Sequence, residues 1–578
     1  MCTKLTLAFA SLLLALGLVG MAAVLSSGAS SGGTTEFAPA SGEVTSPRDL
    51  FDIDELKSLT LDDLQWTLIS ERVLTSGVTE TIGSWSGGVW HTFDITGTAR
   101  TITLSEQAAI CWPPGYPHTP NSQAGFGYVF AVHEATRLPD LADVGEQLAL
   151  AFGIPVLYHG EEAVDWESLG YGSRGDLVDA TVLNLFRLNR CAPVDLIRGN
   201  FGWALARTNI RAITLLQRLA EERGGSVTRV ALQGGSKEGF ATWLASAVDD
   251  RIEVDASGGY QREDLRSSLP VYATDWGCES PPAAEGVSVA NMLILLDWIT
   301  RTPAGWAAER AFSVGRFQHD LYPRFVLISG DVTRYGMHDS HHYALGMETY
   351  FLDHFTAVPW RYVRFHDPDQ KGTQKLLRVL LLEQLVHDEP GYLDQVYPKV
   401  TADWVETDEA NGRRFRVFAT VTPEPEEVRL WWSHSDDRVW NDEENAPWTQ
   451  VTMTQSTGHA WVSDWVNLQQ MGVGDNEEIA YYVEAVNHLH LSYPYTATIP
   501  RRDASPVRFL WRLPENSCPI SPPSWCGIYL PLVMRDYAPT TPIPTPTPTP
   551  SSKGIVLADR AGGRAGRARP VDVEEDGR

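Results

Sequence analysis

The segment Gln233-Gly234-Gly235-Ser236-Lys237-Glu238-Gly239 joins an apolar, strand-like run at 227–232 to a helix-like run at 240–248. A lone hydroxyl among small residues at such a junction suits nucleophilic chemistry. Small neighbours let the chain turn sharply enough to lift Ser236 above a sheet, and the following helix aims its positive N-terminus at the reacting oxygen. Ser236 would attack an acyl carbonyl, with the backbone N–H of Lys237 as one oxyanion donor. The plainer reading is a strand–helix turn that uses small residues only for packing.

A serine hydroxyl needs a base to take its proton, and the base needs an orienting acid. Two downstream strand ends offer them. The run at 325–328 ends in Ser329-Gly330-Asp331, and the run at 362–365 leads into His366-Asp367-Pro368-Asp369-Gln370-Lys371-Gly372. Asp331 is the expected acid and His366 the expected base, although His366 also fits an ordinary surface or core histidine. His338, His341 and His342 fall at helical i, i+3, i+4 spacing, with Asp339 or Asp331 near them. That pattern sketches a metal site but lacks a second ligand pair, so no metal or cofactor is expected. His133-Glu134, after the run at 128–132, suits a cleft wall, and Glu161-Glu162 suits a solvated surface.

These residues need a scaffold. From 49 to 395, short apolar runs at 108–112, 128–132, 154–158, 227–232, 252–255, 325–328 and 362–365 are separated in several places by helical patterns, as at 148–152, 209–220 and 375–385. Such alternation predicts an α/β fold, a mainly parallel sheet with helices on both faces. The Trp-bearing segment 260–320 lacks strand signals and reads as a cap. After Pro398 the period changes to alternation, at 415–421, 428–432, 460–466 and 479–486, which predicts a β-sandwich over 399–501. Most of its tryptophans should be core. A carbohydrate-binding face built from Trp431, Trp432 or Trp440 is the alternative.

Around the turn, Gly234-Gly235-Ser236-Lys237-Glu238-Gly239, Thr242-Trp243-Leu244 and Ala247-Val248-Asp249-Asp250-Arg251 resemble the PhoPQ-activated pathogenicity-related proteins, exported proteins of the α/β-hydrolase type. The likeness extends to Ile328-Ser329-Gly330-Asp331-Val332-Thr333-Arg334-Tyr335 and the Trp-rich sandwich, over about 60–500. It implies Ser236 as nucleophile. It also places the family's carboxylate on Thr333 and its histidine on Lys371, so both partners are displaced, to Asp331 and His366. Lys371 would serve as base only if burial lowered its pKa by several units.

A chain of 578 residues with 43% hydrophobic and 21% charged residues is long enough for more than one core. Its net charge of -27 repels nucleic-acid phosphates and anionic membrane surfaces. Residues 1–30 read as a secretory signal peptide, with Lys4 before an apolar run at 5–25 and small residues behind it. The same run is long enough to be an uncleaved anchor. No membrane-spanning segment is expected after its removal.

Residues 31–48 read as a disordered linker and 502–538 as an extension whose Cys518 and Cys526 would close a short disulfide loop. With Cys111, Cys191 and Cys278 the mature thiols are odd in number, so at least one has no partner within the chain. Residues 539–578 hold a stiff Thr-Pro spacer and a disordered tail, suited to holding the protein at a cell surface. The chain therefore reads as a secreted or surface protein. One reading is a serine hydrolase of esters or amides with a small-molecule or peptide substrate; a non-catalytic hydrolase-like binder and a structural surface protein are the others.

Overall fold

The computed structural model describes residues 44–93, 99–132, 138–161, 198–199, 201–235, 237–258, 303–331, 352–365, 370–387, 389, 391–436, 448–491 and 497–512. The expected signal peptide, residues 31–43 of the expected linker, the histidine cluster at 338–342, both cysteines of the expected disulfide loop and the Thr-Pro tail lie outside them; residues 44–48, expected as disordered linker, are ordered instead, because Val44 is buried and Ser46 caps a short helix at Pro47–Leu50. Among the described residues no helix is long and apolar enough to cross a membrane.

Nine strands form the larger sheet: β1 (Thr67–Val73), β2 (Thr79–Phe93), β3 (Ala99–Trp112), β4 (Phe126–Val132), β5 (Val156–Glu161), β6 (Arg229–Gly235), β7 (Ile252–Gly258), β8 (Phe325–Asp331) and β9 (Trp360–Phe365). Their order is β1-β2-β3-β5-β4-β6-β7-β8-β9. The first four pair antiparallel, and every neighbouring pair from β5 to β9 is parallel. Each apolar run predicted as a strand falls on one of β3 to β9. β4 is buried along its whole length, as a central parallel strand covered on both faces must be.

Helices cover both faces. α1 (Leu138–Phe152) and α5 (Gln370–Val386) pack their apolar residues on one side, with Tyr128, Phe130 and Tyr158. α2 (Phe201–Glu222) and α3 (Lys237–Val248) pack on the other, with Val129, Leu232 and Ile328. The layered α/β arrangement expected from the alternation is present. Of the segment read as a cap, 303–320 is described and is helical, opening with α4 (Pro303–Phe312).

The chain then builds two further sheets. One has the order β10-β11-β15-β14, from Lys399–Asp408, Arg414–Thr422, Ala460–Val462 and Thr454–Thr457, with β16 (Val466–Asn467) on β11. The other runs β13-β12-β17-β18, from Thr449–Thr452, Glu427–Ser435, Glu478–Leu491 and Ala497–Ala504, with β19 (Arg508–Leu510) on β17. β11 alternates half-buried and buried residues throughout, and Phe415, Val417, Ala419 and Val421 meet Val428, Leu430 and Tyr481 in the sandwich core. These strands continue to Leu510, past the expected boundary at 501. Trp432 is buried in that core, while Trp431 stacks on Tyr482 and donates its indole N–H to Glu484 at 3.2 Å. Trp432 is therefore core and not part of an open face, Trp431 is half-buried, and Trp440 lies outside the described residues.

A buried carboxylate of the sandwich bonds directly to β9 of the larger sheet. Asp503, fully buried on β18, accepts the backbone N–H of Tyr362 at 2.9 Å on one oxygen and that of Val400 at 2.8 Å on the other. Arg501, two residues earlier, donates through Nε to both oxygens of Glu383 on α5 at 3.1 Å. Asp503→Ala would leave two backbone donors buried without acceptors, a loss of about 3 kcal/mol. Urea unfolding of Asp503→Ala beside Asp503→Asn, which keeps one acceptor, checks this: the alanine variant should be clearly the weaker.

Candidate functional site

In an open α/β sheet the binding crevice lies at the carboxyl ends of the strands where the strand order reverses. Here the chain passes from β4 to β5 on one side and returns to β6 on the other, so the reversal lies between β4 and β6. Ser236 occupies that position in the sequence, between Gly235, the last residue of β6, and Lys237, the first of α3. Ser236 itself and the side chain of Lys237 lie outside the described residues, while the backbone on either side of Ser236 is placed.

The small residues of the turn have separate steric causes. A Cβ on Gly234 would stand 2.5 Å from the carbonyl oxygen of Glu238, and one on Gly239 would stand 2.8 Å from that of Gly258 on β7. The first turn of α3 therefore lies directly on the ends of β6 and β7. Gly235 has nothing within 4 Å of its Cβ position. Hydroxyls finish the junction: Ser257 and Thr242 both donate to Gly239 O at 2.9 Å. Tyr128 donates to the Gln233 side chain at 2.7 Å, fixing β6 to β4 just beneath the turn. Lys237 opens α3, so its backbone N–H belongs to the first turn, which has no intrahelical acceptor.

The two strands that lead to the expected partners end side by side. Asp331 is the last residue of β8, in register with Phe365, the last of β9, and His366 follows directly. The side chain of Asp331 and the whole of His366 lie outside the described residues, as do Thr333, His133 and Glu134. Lys371, at the family's histidine position, is the second residue of α5. Four residues, 366–369, separate β9 from α5 in the sequence.

The Asp249–Arg251 pair of the resemblance motif has a structural use. Asp249 accepts from Arg251 at 2.7 to 3.1 Å, and Arg251 reaches across to Thr214, Gln217 and the Ile210 carbonyl on α2. It ties the far end of α3 to its neighbour helix. Cys111 is a buried thiol pushed up to about 12, chiefly by burial.

Two buried ionisable groups near the turn were not singled out by the sequence. Asp255 on β7 is pushed up to about 7 by burial, against the opposing pull of the Ser246 and Thr242 hydroxyls and the Ala256 backbone. Those hydroxyls face it without closing a hydrogen bond of normal geometry to either oxygen. His159 on β5 approaches Glu106 of β3 at 3.4 Å and packs edge-on against Trp85, with centroids 5.8 Å apart. Burial pushes its imidazole down to about 4, while Glu238 and Asn209 pull the other way. Asn209 stands beside the ring, yet neither its amide nor the His159 Nε2 completes a hydrogen bond among the described residues. The strand pattern at 154–158 stops one residue short of His159. Its burial comes from β2, β3, α2 and α3 together, which no local spacing encodes.

Among the described residues no group of three or more His, Cys, Asp or Glu is arranged to hold a metal ion. No protein-family model and no curated protein matches the chain. Solved structures do match. Acetyl xylan esterase 1 from Thermoanaerobacterium is 13% identical over 57% of this chain and 93% of its own, with a TM-score of 0.29. A glucuronoyl esterase from Teredinibacter turnerae is 12% identical over 56% of this chain and 78% of its own, at 0.31. The rice cell wall degrading esterase LipA from Xanthomonas oryzae is 12% identical over 56% of this chain and 99% of its own, at 0.28. Likenesses this distant leave the fold resting on the strand order and the two helical layers described above.

Proposed function

We propose that this chain is a secreted or cell-surface serine hydrolase that cleaves esters or amides through an acyl-enzyme. The observation that carries the reading is the strand–turn–helix at 234–239, where Gly234 and Gly239 are required by backbone contacts at the point of strand reversal. A turn needed only for packing has no reason to centre on that crevice. Ser236 Oγ attacks the acyl carbonyl while His366, oriented by Asp331, takes the hydroxyl proton. The backbone N–H of Lys237 faces the oxygen that becomes negative, and the leaving alcohol or amine carries off the proton from His366. Water then repeats the sequence and releases the acid. The chemistry requires no cofactor, and the substrate is a small molecule or peptide. The motifs around Ser236 favour kinship with the PhoPQ-activated pathogenicity-related proteins.

A second reading, a non-catalytic binder on the same scaffold, draws on two observations. Lys371 lies within α5, and β9 is three strands from β6, about 14 Å at ordinary strand spacing. A fluorophosphonate probe separates the two. The wild type should be labelled, Ser236→Ala should not, and His366→Ala should react about 100-fold or more slowly. A wild type that stays unlabelled under conditions that label known serine hydrolases would reject the enzyme in favour of the binder.

A further inference from the structure

Glu238 sits two residues after Ser236, in the first turn of α3, and is only 3% exposed. A carboxylate in a helix's first turn is favourable next to the dipole, but such a residue normally points to water. This one is turned inward. Its own backbone is the surface against which Gly234 packs, since the Cβ position of Gly234 meets Glu238 O, C and Cβ within 2.9 Å. Any movement of Glu238 is therefore transmitted to the end of β6 and to the turn.

The interior it enters is polar and spans several strands. Trp85 on β2, Glu106 on β3 and His159 on β5 form a continuous buried line, and Asn209 of α2 closes it from above. Glu238 lies within electrostatic reach of His159. Among the described residues, the ionisable groups near the imidazole include Glu106 and Glu238, on different elements, with Asn209 as a neutral neighbour. Glu106 is itself held close, its Cγ lying 3.1 Å from the Cβ position of Gly87 on β2.

The geometry points to Glu238 as a positioning residue: its buried side chain, packed beneath the end of β6 at Gly234, locks the first turn of α3 and so sets the place of residue 236 and of the Lys237 N–H. This role rests on the serine-hydrolase reading, and it adds a residue that does not touch substrate. Burial holds His159 neutral at neutral pH, so a neutral amide at 238 should fill the place nearly as well as the acid.

The test uses the full chain with four variants: Glu238→Ala, Glu238→Gln, His159→Gln and, as a control just past the far end of the same helix, Arg251→Lys. Two readouts are taken well below the unfolding transition, the fluorophosphonate reaction split into probe affinity and maximal inactivation rate, and hydrogen exchange of the 233–240 peptide. Glu238→Ala should lower the maximal rate at least tenfold with probe affinity unchanged and should speed exchange across 233–240. Glu238→Gln should restore both to within about threefold. His159→Gln should loosen the same peptide, and Arg251→Lys should change neither readout whatever it does to stability. If Glu238→Ala leaves exchange at 233–240 unchanged, or if Glu238→Gln is as impaired as the alanine variant, the assignment is overturned. A wild type that is not labelled removes the hydrolase reading alone, because exchange at 233–240 still decides whether Glu238 fixes the turn.

Discussion

Gly234→Ala should unfold at markedly lower denaturant than the wild type, with a loss of about 3 kcal/mol from overpacking, and should lose reaction with a fluorophosphonate altogether. The added methyl would stand 2.5 Å from Glu238 O and 2.6 Å from its carbonyl carbon. Both are backbone atoms of a helix that is itself packed against β6, β7 and α2, so no rotamer change relieves the contact. The alternative is for the first turn of α3 to lift, which displaces Lys237 and the residue before it. Gly235→Ala, one position on, has open space around its Cβ and should lie within about 0.5 kcal/mol of wild type. Urea unfolding of the pair checks the contrast. Equal destabilisation at both positions would mean that glycine is needed at this turn for chain flexibility, not for close approach.

Asp255→Asn should stabilise the protein at and above pH 7 by up to about 4 kcal/mol and by nothing near pH 4. The sign follows from the folded-state pKa of about 7 against the ordinary 3.8. Between those values the folded protein keeps a proton that the unfolded chain has lost. Stability from this group is therefore intact below about pH 4, falls as pH rises through the window, and stays low above it. His159 acts in the opposite direction. With its imidazole lowered from 6.5 to about 4, the folded protein binds fewer protons than the unfolded chain across that interval, so stability rises with pH there. In the wild type the two slopes offset each other from about pH 4 to 6.5. Unfolding midpoints measured from pH 4 to 8 should therefore rise with pH in Asp255→Asn and fall in His159→Gln, relative to wild type. Parallel profiles in all three proteins would show that neither group is buried as described.

The parts of this fold legible in the sequence are those whose cause is local. Runs such as 325–328 and 362–365 are apolar because both faces of a central parallel strand are covered, and they mark β8 and β9 directly. The turn at 234–239 was readable because close approach at fixed spacing admits only small residues. β1 and β2 were not readable. Every residue of β1 is exposed, so no burial period marks it, and β2 carries Gly83, Gly87 and Gly88 inside a strand, where glycine ordinarily signals a break. Glu238 and His159 were missed for another reason: a charged side chain turned inward looks the same in sequence as one turned out. Their environment is assembled from β2, β3, β5, α2 and α3, brought together only by the crossover that returns the chain to β6.

The carboxylate of Asp503 has a consequence for how this chain can be divided. β9 ends the larger sheet, and a bare terminal strand invites pairing with another chain. The sandwich, arriving 141 residues later in sequence at Tyr362, turns that adhesive margin into an internal seam. The α/β half is therefore not a portable module. A fragment stopped before β10 would keep every residue proposed for chemistry and still present a strand edge primed for aggregation, so the two halves have to be expressed as one piece.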